Sequence, residues 1–191
     1  MNLPAGNSRD AEVRLLTAGP ADADEIESMA RKIWPAAYAG IISDAQIEFM
    51  LHRMYSPSKL VAEMNQEGIS YHWILSQGNK TGFIAAGPSP EDESVQQLHK
   101  FYLLQPRQNL GIGSSAMDLL IDRLSSSGCT RIELRVNRNN TRAIAFYRKN
   151  DFEVFAEECR DIGGGFVMDD FLMRRILPAA RDASKSGETI R

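Results

Sequence analysis

Val95-Gln96-Gln97-Leu98-His99-Lys100-Phe101-Tyr102-Leu103-Leu104 reads as a strand that ends in an apolar and aromatic run. Gln105-Pro106-Arg107-Gln108-Asn109-Leu110-Gly111-Ile112-Gly113 follows, and Pro106 with its polar neighbours stops the strand. Gly111 and Gly113 then open a helix, beginning Ser114-Ser115-Ala116-Met117, on which Ile112, Ala116, Met117, Leu120 and Leu124 recur at helical spacing. A strand, a glycine-bearing loop and a helix N-terminus offer several backbone N–H groups and the positive end of a helix dipole. That arrangement suits an anion such as a pyrophosphate, and glycine lets the backbone approach it closely. A plain turn and helix start would look the same, so the two glycines alone assign no ligand.

Gly111-Ile112-Gly113-Ser114-Ser115-Ala116 also invites a dinucleotide-binding reading and, with it, a nicotinamide-dependent oxidoreductase. That fingerprint follows its strand directly in a βαβ unit that usually opens its domain. Here a polar-leaning stretch intervenes and about half the chain comes first, so the fit is poorer.

The composition bounds the answer. The chain has 191 residues, 43% hydrophobic and 25% charged, with a formal net charge of −3. Those values describe an ordinary soluble globular protein of one domain. The charge and the lack of a basic run argue against a nucleic-acid partner. No apolar run approaches the roughly 20 residues of a membrane span, and the N-terminus lacks the regions of a secretory signal. Cys129 and Cys159 have no metal-ligand spacing, so no metal is expected, and a small buried thiol is the plain reading of Cys129. A cytoplasmic setting follows.

Outward from the central stretch, residues 1–11 and 178–191 read as flexible tails around a single domain over 12–177. Glu12 to Thr17 reads as a strand. A helix capped by Asp22 or Asp24 runs to about Trp34, where Pro35 interrupts. Ser43 caps a second helix, Ser56-Pro57-Ser58 breaks again, and Lys59 to Asn65 forms a third. Ser70 to Ser76 and Thr81 to Ala86 make a hairpin. After the central helix come a strand (Thr130 to Val136), a helix (Thr141 to Lys149) and two strands (Phe152 to Glu158, Phe166 to Arg175) around Gly163-Gly164-Gly165. Hairpins beside βαβ units imply a mixed α/β sheet with helices on both faces.

Two motifs in this order carry a resemblance. Gln108-Asn109-Leu110-Gly111-Ile112-Gly113 resembles the (Gln/Arg)-x-x-Gly-x-(Gly/Ala) loop of the GNAT superfamily of N-acetyltransferases. Asn140-Thr141-Arg142-Ala143-Ile144-Ala145-Phe146-Tyr147-Arg148-Lys149-Asn150-Asp151-Phe152 resembles its Asn-x-x-Ala-x-x-(Phe/Leu)-Tyr-x-Lys-x-Gly-Phe segment, with Asp151 where glycine is usual. The likeness spans about Val13 to Ile176. Leu98 to Leu103 and Ile162 to Met173 are further similar to a polyamine (spermidine/spermine) acetyltransferase-like subgroup, whose members need not share an acceptor.

The resemblance implies a mostly antiparallel sheet with a splayed central strand pair, acetyl-CoA as co-substrate and no metal. It implies that Gln108, Asn109, Leu110, Gly111, Ile112, Gly113 and Ser114 wrap the pyrophosphate. Phe101, Tyr102 and Leu103 would pair with the pantetheine arm, with Asn140 beside it and Tyr147 near the thioester sulfur. Asn140 reads equally as a helix N-cap and Tyr147 as a core aromatic. Some members carry a glutamate base where this chain has Gln97. His99, expected on the same strand face, is the candidate base, directly or through ordered water; a half-exposed strand histidine is the plain alternative. Trp34, Tyr38, Gln97, Asp169 and Asp170 should flank the acceptor, where acidic groups attract an amine, although edge-strand charges read the same way. The expected reaction is acetyl transfer by direct attack of a small primary amine or polyamine, with a peptide amine next. A CoA-binding sensor or interaction module without turnover is the alternative. A homodimer is the habit of the fold class, without any interface signature in this sequence.

Overall fold

The computed structural model describes residues 12–105 and 111–178. The expected tails at 1–11 and 178–191, apart from residue 178, lie outside the described residues, as do Gln108, Asn109 and Leu110. Along the chain come β1 (Val13–Ala18), α1 (Ala23–Ala37), α2 (Asp44–Tyr55), α3 (Pro57–Gln66), β2 (Ser70–Ser76), β3 (Asn79–Pro88) and β4 (Val95–Leu103). They are followed by α4 (Ile112–Ser126), β5 (Arg131–Asn137), α5 (Thr141–Lys149), β6 (Glu153–Gly163) and β7 (Phe166–Ile176). The strands form one sheet in the order β1-β2-β3-β4-β5-β7-β6, and among the described strands only β4 and β5 run parallel. This is the mixed, mostly antiparallel sheet that was expected; a doubly wound dinucleotide fold would be mostly parallel.

Strand alternation divides the apolar residues between two cores. Leu98, Ile132, Leu134 and Met173 pack with Met117 and Leu120 of α4 and Ile144 of α5. Tyr71, Trp73 and Phe83 pack on the other face with Ile26, Ile33, Met50 and Leu60 of α1, α2 and α3. Two expected chain breaks are helical instead. Pro35 lies inside α1. Its missing N–H would have bonded the carbonyl of Arg31, and both residues are exposed, so that carbonyl is not sealed in the core while buried Ile33 and Trp34 hold the helix together. Pro57 is the first residue of α3, where no intrahelical N–H is needed.

The site depends on where β4 and β5 part. They pair from Val95 opposite Arg131 to Leu98 opposite Leu134, and no further. Beyond that point β4 stays with β3 and β5 stays with β7. A bulge lies at the parting: Ala86 pairs with Leu98 and Ala85 with Lys100, leaving His99 as the extra residue. Strict alternation therefore fails from Lys100 onward, while His99 and Gln97 still line one cavity. The bulge resets the parity, so Phe101 and Leu103 point toward α4, and Lys100 and Tyr102 toward α1–α3. Lys100, only 3% exposed, fixes this parity through Glu63 of α3: Nζ lies 2.5 Å from Oε2, which also accepts from the Tyr71 hydroxyl. Removing Glu63 would leave the buried Lys100 ammonium without its carboxylate partner, whereas Glu63 has a second cation in Lys59 at 3.5 Å.

At the far end of α5 the chain closes a Schellman motif. The N–H of Phe152 donates to the Tyr147 carbonyl (3.0 Å) and that of Asp151 to the Arg148 carbonyl (3.1 Å). Asp151 accordingly has φ +61°, the left-handed conformation that glycine adopts without strain. The turn thus keeps its shape despite the aspartate. Asp151→Gly is expected to stabilise the fold by up to about 1 kcal/mol, a rise in Tm of about 2–4 °C for a chain of this size. Only a long, exposed ion pair to Arg175 (3.6 Å) is lost. A lower Tm in a thermal melt would contradict this account of the turn.

Candidate active site

The parting of β4 from β5 opens a cleft of about 620 Å³. One wall is Phe101, Tyr102 and Leu103 of β4, whose edge has no ladder partner in β5 beyond Leu98. The other wall is Val136 with Asn140, Ala143 and Tyr147 of α5, and Gly111, Gly113 and Ser114 lie at the N-terminus of α4. The structure thus brings eight of the residues named for acetyl-CoA into one cleft. Ile112 differs: its side chain is buried in the core, so only its backbone belongs to the helix terminus.

The helix terminus fits an anion. Gly111 is the N-cap of the 15-residue α4, with φ +77° and open space where a side chain would be, and no acidic residue sits in the first turn. Arg142 and Lys149, which the sequence did not single out, line the same cleft and add positive charge. Gly113 has a second reason to be glycine: a Cβ there would lie 3.1 Å from the Phe146 ring and 3.3 Å from Leu103. Asn140 caps α5, its Oδ1 accepting from the Ala143 N–H at 3.1 Å. The N-cap role is real, and the amide nitrogen remains available to a ligand. Tyr147 packs against Phe146 (5.4 Å between centroids) and Phe152 (5.6 Å), and burial and the nearby Tyr38 raise its pKa. Its hydroxyl stays protonated through the neutral range.

A second cavity of about 440 Å³ adjoins the cleft. Tyr38, Leu98, His99, Tyr102 and Arg135 line both, so the two spaces meet at the His99 bulge. Trp34, Tyr38 and Tyr102 form an aromatic wall: the Trp34 and Tyr38 rings lie 4.6 Å apart, tilted by 38°, and the hydroxyls of Tyr38 and Tyr102 lie 3.1 Å apart. Gln97 lines the cavity with its amide donating to Glu133 at 3.0 Å. Burial and the neighbouring Lys100 lower the His99 pKa, leaving its ring mostly neutral near pH 7.

Asp169 and Asp170 part company because adjacent strand residues face opposite ways. Asp170, opposite Asn137 of β5, lines the cavity; it is 2% exposed and its Oδ2 has no hydrogen-bond partner among the described residues. Burial pushes its carboxyl up to about 6, against a counteracting Arg160. Asp169 does not line the cavity and instead ion-pairs with Arg138 at 2.7 Å. Gln46, Arg53 and Arg160, which reasoning from sequence missed, also line the cavity. Gln46 carried a usable signal, since it is a polar residue on the buried face of an amphipathic helix.

A cleft with an anion-binding end and an open strand edge, joined to a cavity holding a buried carboxylate, is built to bring an amine to an acyl donor. The comparisons agree. Residues 26–152 match the acetyltransferase (GNAT) family. The spermidine N(1)-acetyltransferase of Thermoplasma acidophilum is 28% identical over 152 residues, covering 78% of this chain and 90% of that protein. Among solved structures, the PaiA N-acetyltransferase of Thermoplasma acidophilum in complex with coenzyme A superposes with a TM-score of 0.71 at 24% identity, over 86% of this chain and 99% of that one. The ribosomal-protein-S18-alanine N-acetyltransferase of Escherichia coli gives 0.64 at 15% identity, over 94% and 99%. At such identities the structures speak for the fold alone, while the family match spans most of the chain: the chain belongs to the GNAT acetyltransferase family and is an enzyme that moves the acetyl group of acetyl-CoA to an amine.

Proposed function

We propose that the acceptor is the primary amine of a small molecule, polyamines included, with a peptide amine second, and that transfer is direct, within a ternary complex. The observation that carries this is the buried, unpartnered Oδ2 of Asp170 in a cavity that opens on the cleft at His99. A buried carboxylate without a partner is unfavourable until a cation or donor reaches it. An ammonium supplies both, and the aromatic wall of Trp34, Tyr38 and Tyr102 suits its alkyl chain and charge. The spermidine-acetylating relative supports a small-amine acceptor. The unpaired thiols of Cys129 and Cys159 fit a cytoplasmic setting.

In this reading the Gly111–Ser114 backbone with Arg142 and Lys149 holds the phosphates of acetyl-CoA, and the β4 edge at Phe101–Leu103 aligns the pantetheine arm with Asn140. An alkylammonium with a pKa near ~10.4 must lose a proton before it can attack. Burial disfavours the charged pair, so Asp170 receives that proton as the neutral amine forms. His99, neutral and at the junction, is the other group able to accept it. Tyr147 donates its hydroxyl proton to the departing thiolate. The test is free-thiol release from acetyl-CoA across spermidine, spermine, short diamines, amino acids, aminoglycosides and short peptides. Saturable turnover of a small primary amine is expected. Turnover of peptide N-termini alone would overturn the small-molecule reading.

A further inference from the structure

Arginines elsewhere near the site are charge-compensated. Arg135 lies 2.9 Å from Glu158, and Arg138 pairs with both Glu157 and Asp169. Two that line the acceptor cavity are not. The Arg160 guanidinium of β6 hydrogen-bonds only the Met168 sulfur, at 3.9 Å, while its charge is felt at Asp170 and Glu158, and Arg53 of α2 donates to the Ile162 carbonyl; neither ion-pairs with a carboxylate among the described residues. The Met168 and Ile162 that hold them also line the cavity. The carboxylates lining it are Asp170 and Asp161, and Asp161 already accepts from the Gly163 N–H at 2.7 Å.

This charge pattern suits a polycation poorly. A chain of ammonium groups would place one on Asp170 and drive the rest toward Arg53 and Arg160, the two lining guanidiniums without an ion-paired carboxylate. A molecule with an amine at one end and an anion at the other meets no such conflict. Resting on the small-amine reading above, we infer that the acceptor is a primary amine that also carries a carboxylate, the amine held at Asp170 and the carboxylate at Arg160 and Arg53. The guanidinium fork matches a carboxylate with two parallel N–H···O bonds. Both arginines are exposed, so they serve as a recognition rim rather than a buried clamp.

The test measures kcat/KM for thiol release with length-matched acceptors: 1,5-diaminopentane, 5-aminopentanoate, 4-aminobutylphosphonate, lysine and spermidine. A carboxylate-bearing amine is expected to exceed the matched diamine at least tenfold. Arg160→Met is expected to reduce that ratio about tenfold through KM, with Arg53→Met smaller and the double variant largest. Both side chains are exposed, and an unchanged melting temperature shows that the variants fold. Diamines or spermidine turned over as well as the amino carboxylates would overturn the inference, and so would variants that lower all acceptors alike. A preference for the phosphonate over the carboxylate would also overturn it. Failure of every small amine, with peptides accepted, would instead strike the reading on which it rests.

Discussion

Asp170→Asn is expected to make the protein more stable and a far poorer catalyst. The carboxyl titrates near 3.9 in an unfolded chain and at about 6 when folded. Below both values the group is protonated in either state and carries no penalty. As pH rises between them the unfolded chain releases its proton first, so the native state loses stability. Above pH 6 the penalty is complete, roughly 3 kcal/mol for a shift of this size. At pH 7.5 the asparagine variant avoids the ionisation, although its amide still needs partners, so a gain of about 1–2 kcal/mol is expected. Melts at pH 7.5 and 4.5 check this: the gain should be larger at 7.5. Turnover should fall about 10²–10³-fold, and the limb of the pH–rate profile near pH 6 should vanish. A variant with wild-type kcat/KM, or one less stable at pH 7.5, would remove Asp170 from the role given to it.

Tyr147→Phe is expected to lower kcat about 10²-fold while the Kd for acetyl-CoA changes less than threefold. Its ring packs between Phe146 and Phe152, and phenylalanine preserves those contacts. Its hydroxyl makes no hydrogen bond among the described residues, so the free protein loses none and the melting temperature should hold. What disappears is a protonated donor at the cleft, which matters only when negative charge develops on sulfur. Turnover at the wild-type rate would show that water or another donor protonates the thiolate. A loss of acetyl-CoA affinity as large as the loss of kcat would make Tyr147 a binding contact instead.

The local signals were legible in the sequence because each depends on near neighbours. Helical spacing from Ile112 to Leu120 marked α4, alternation of Ile132, Leu134 and Val136 marked β5, and Asn140 announced the start of α5. The order of motifs and elements led to the sheet, the co-substrate and most of the cleft. Proline was overread at Pro35 and Pro57, since its effect depends on whether the lost bond faces solvent or falls in a first turn.

What required tertiary structure is the second cavity, the one proposed to take the acceptor. The bulge at His99 comes from the pairing of β4 with β3 and cannot be seen in either strand alone, yet it overrides the parity that alternation predicts. Asp169 and Asp170 are identical as residues; only the pairing of β7 with β5 decides which one is buried at the cavity and which meets Arg138. Gln46, Arg53 and Arg160 arrive from α2 and β6, more than a hundred residues apart, and no local pattern links them. Periodicity and motif order report contacts within an element, so the sequence by itself determined the fold and the co-substrate. The electrostatics of a cavity are set by charges that meet only after the sheet has closed, so the tertiary structure alone decided which charges line the space beside the cleft.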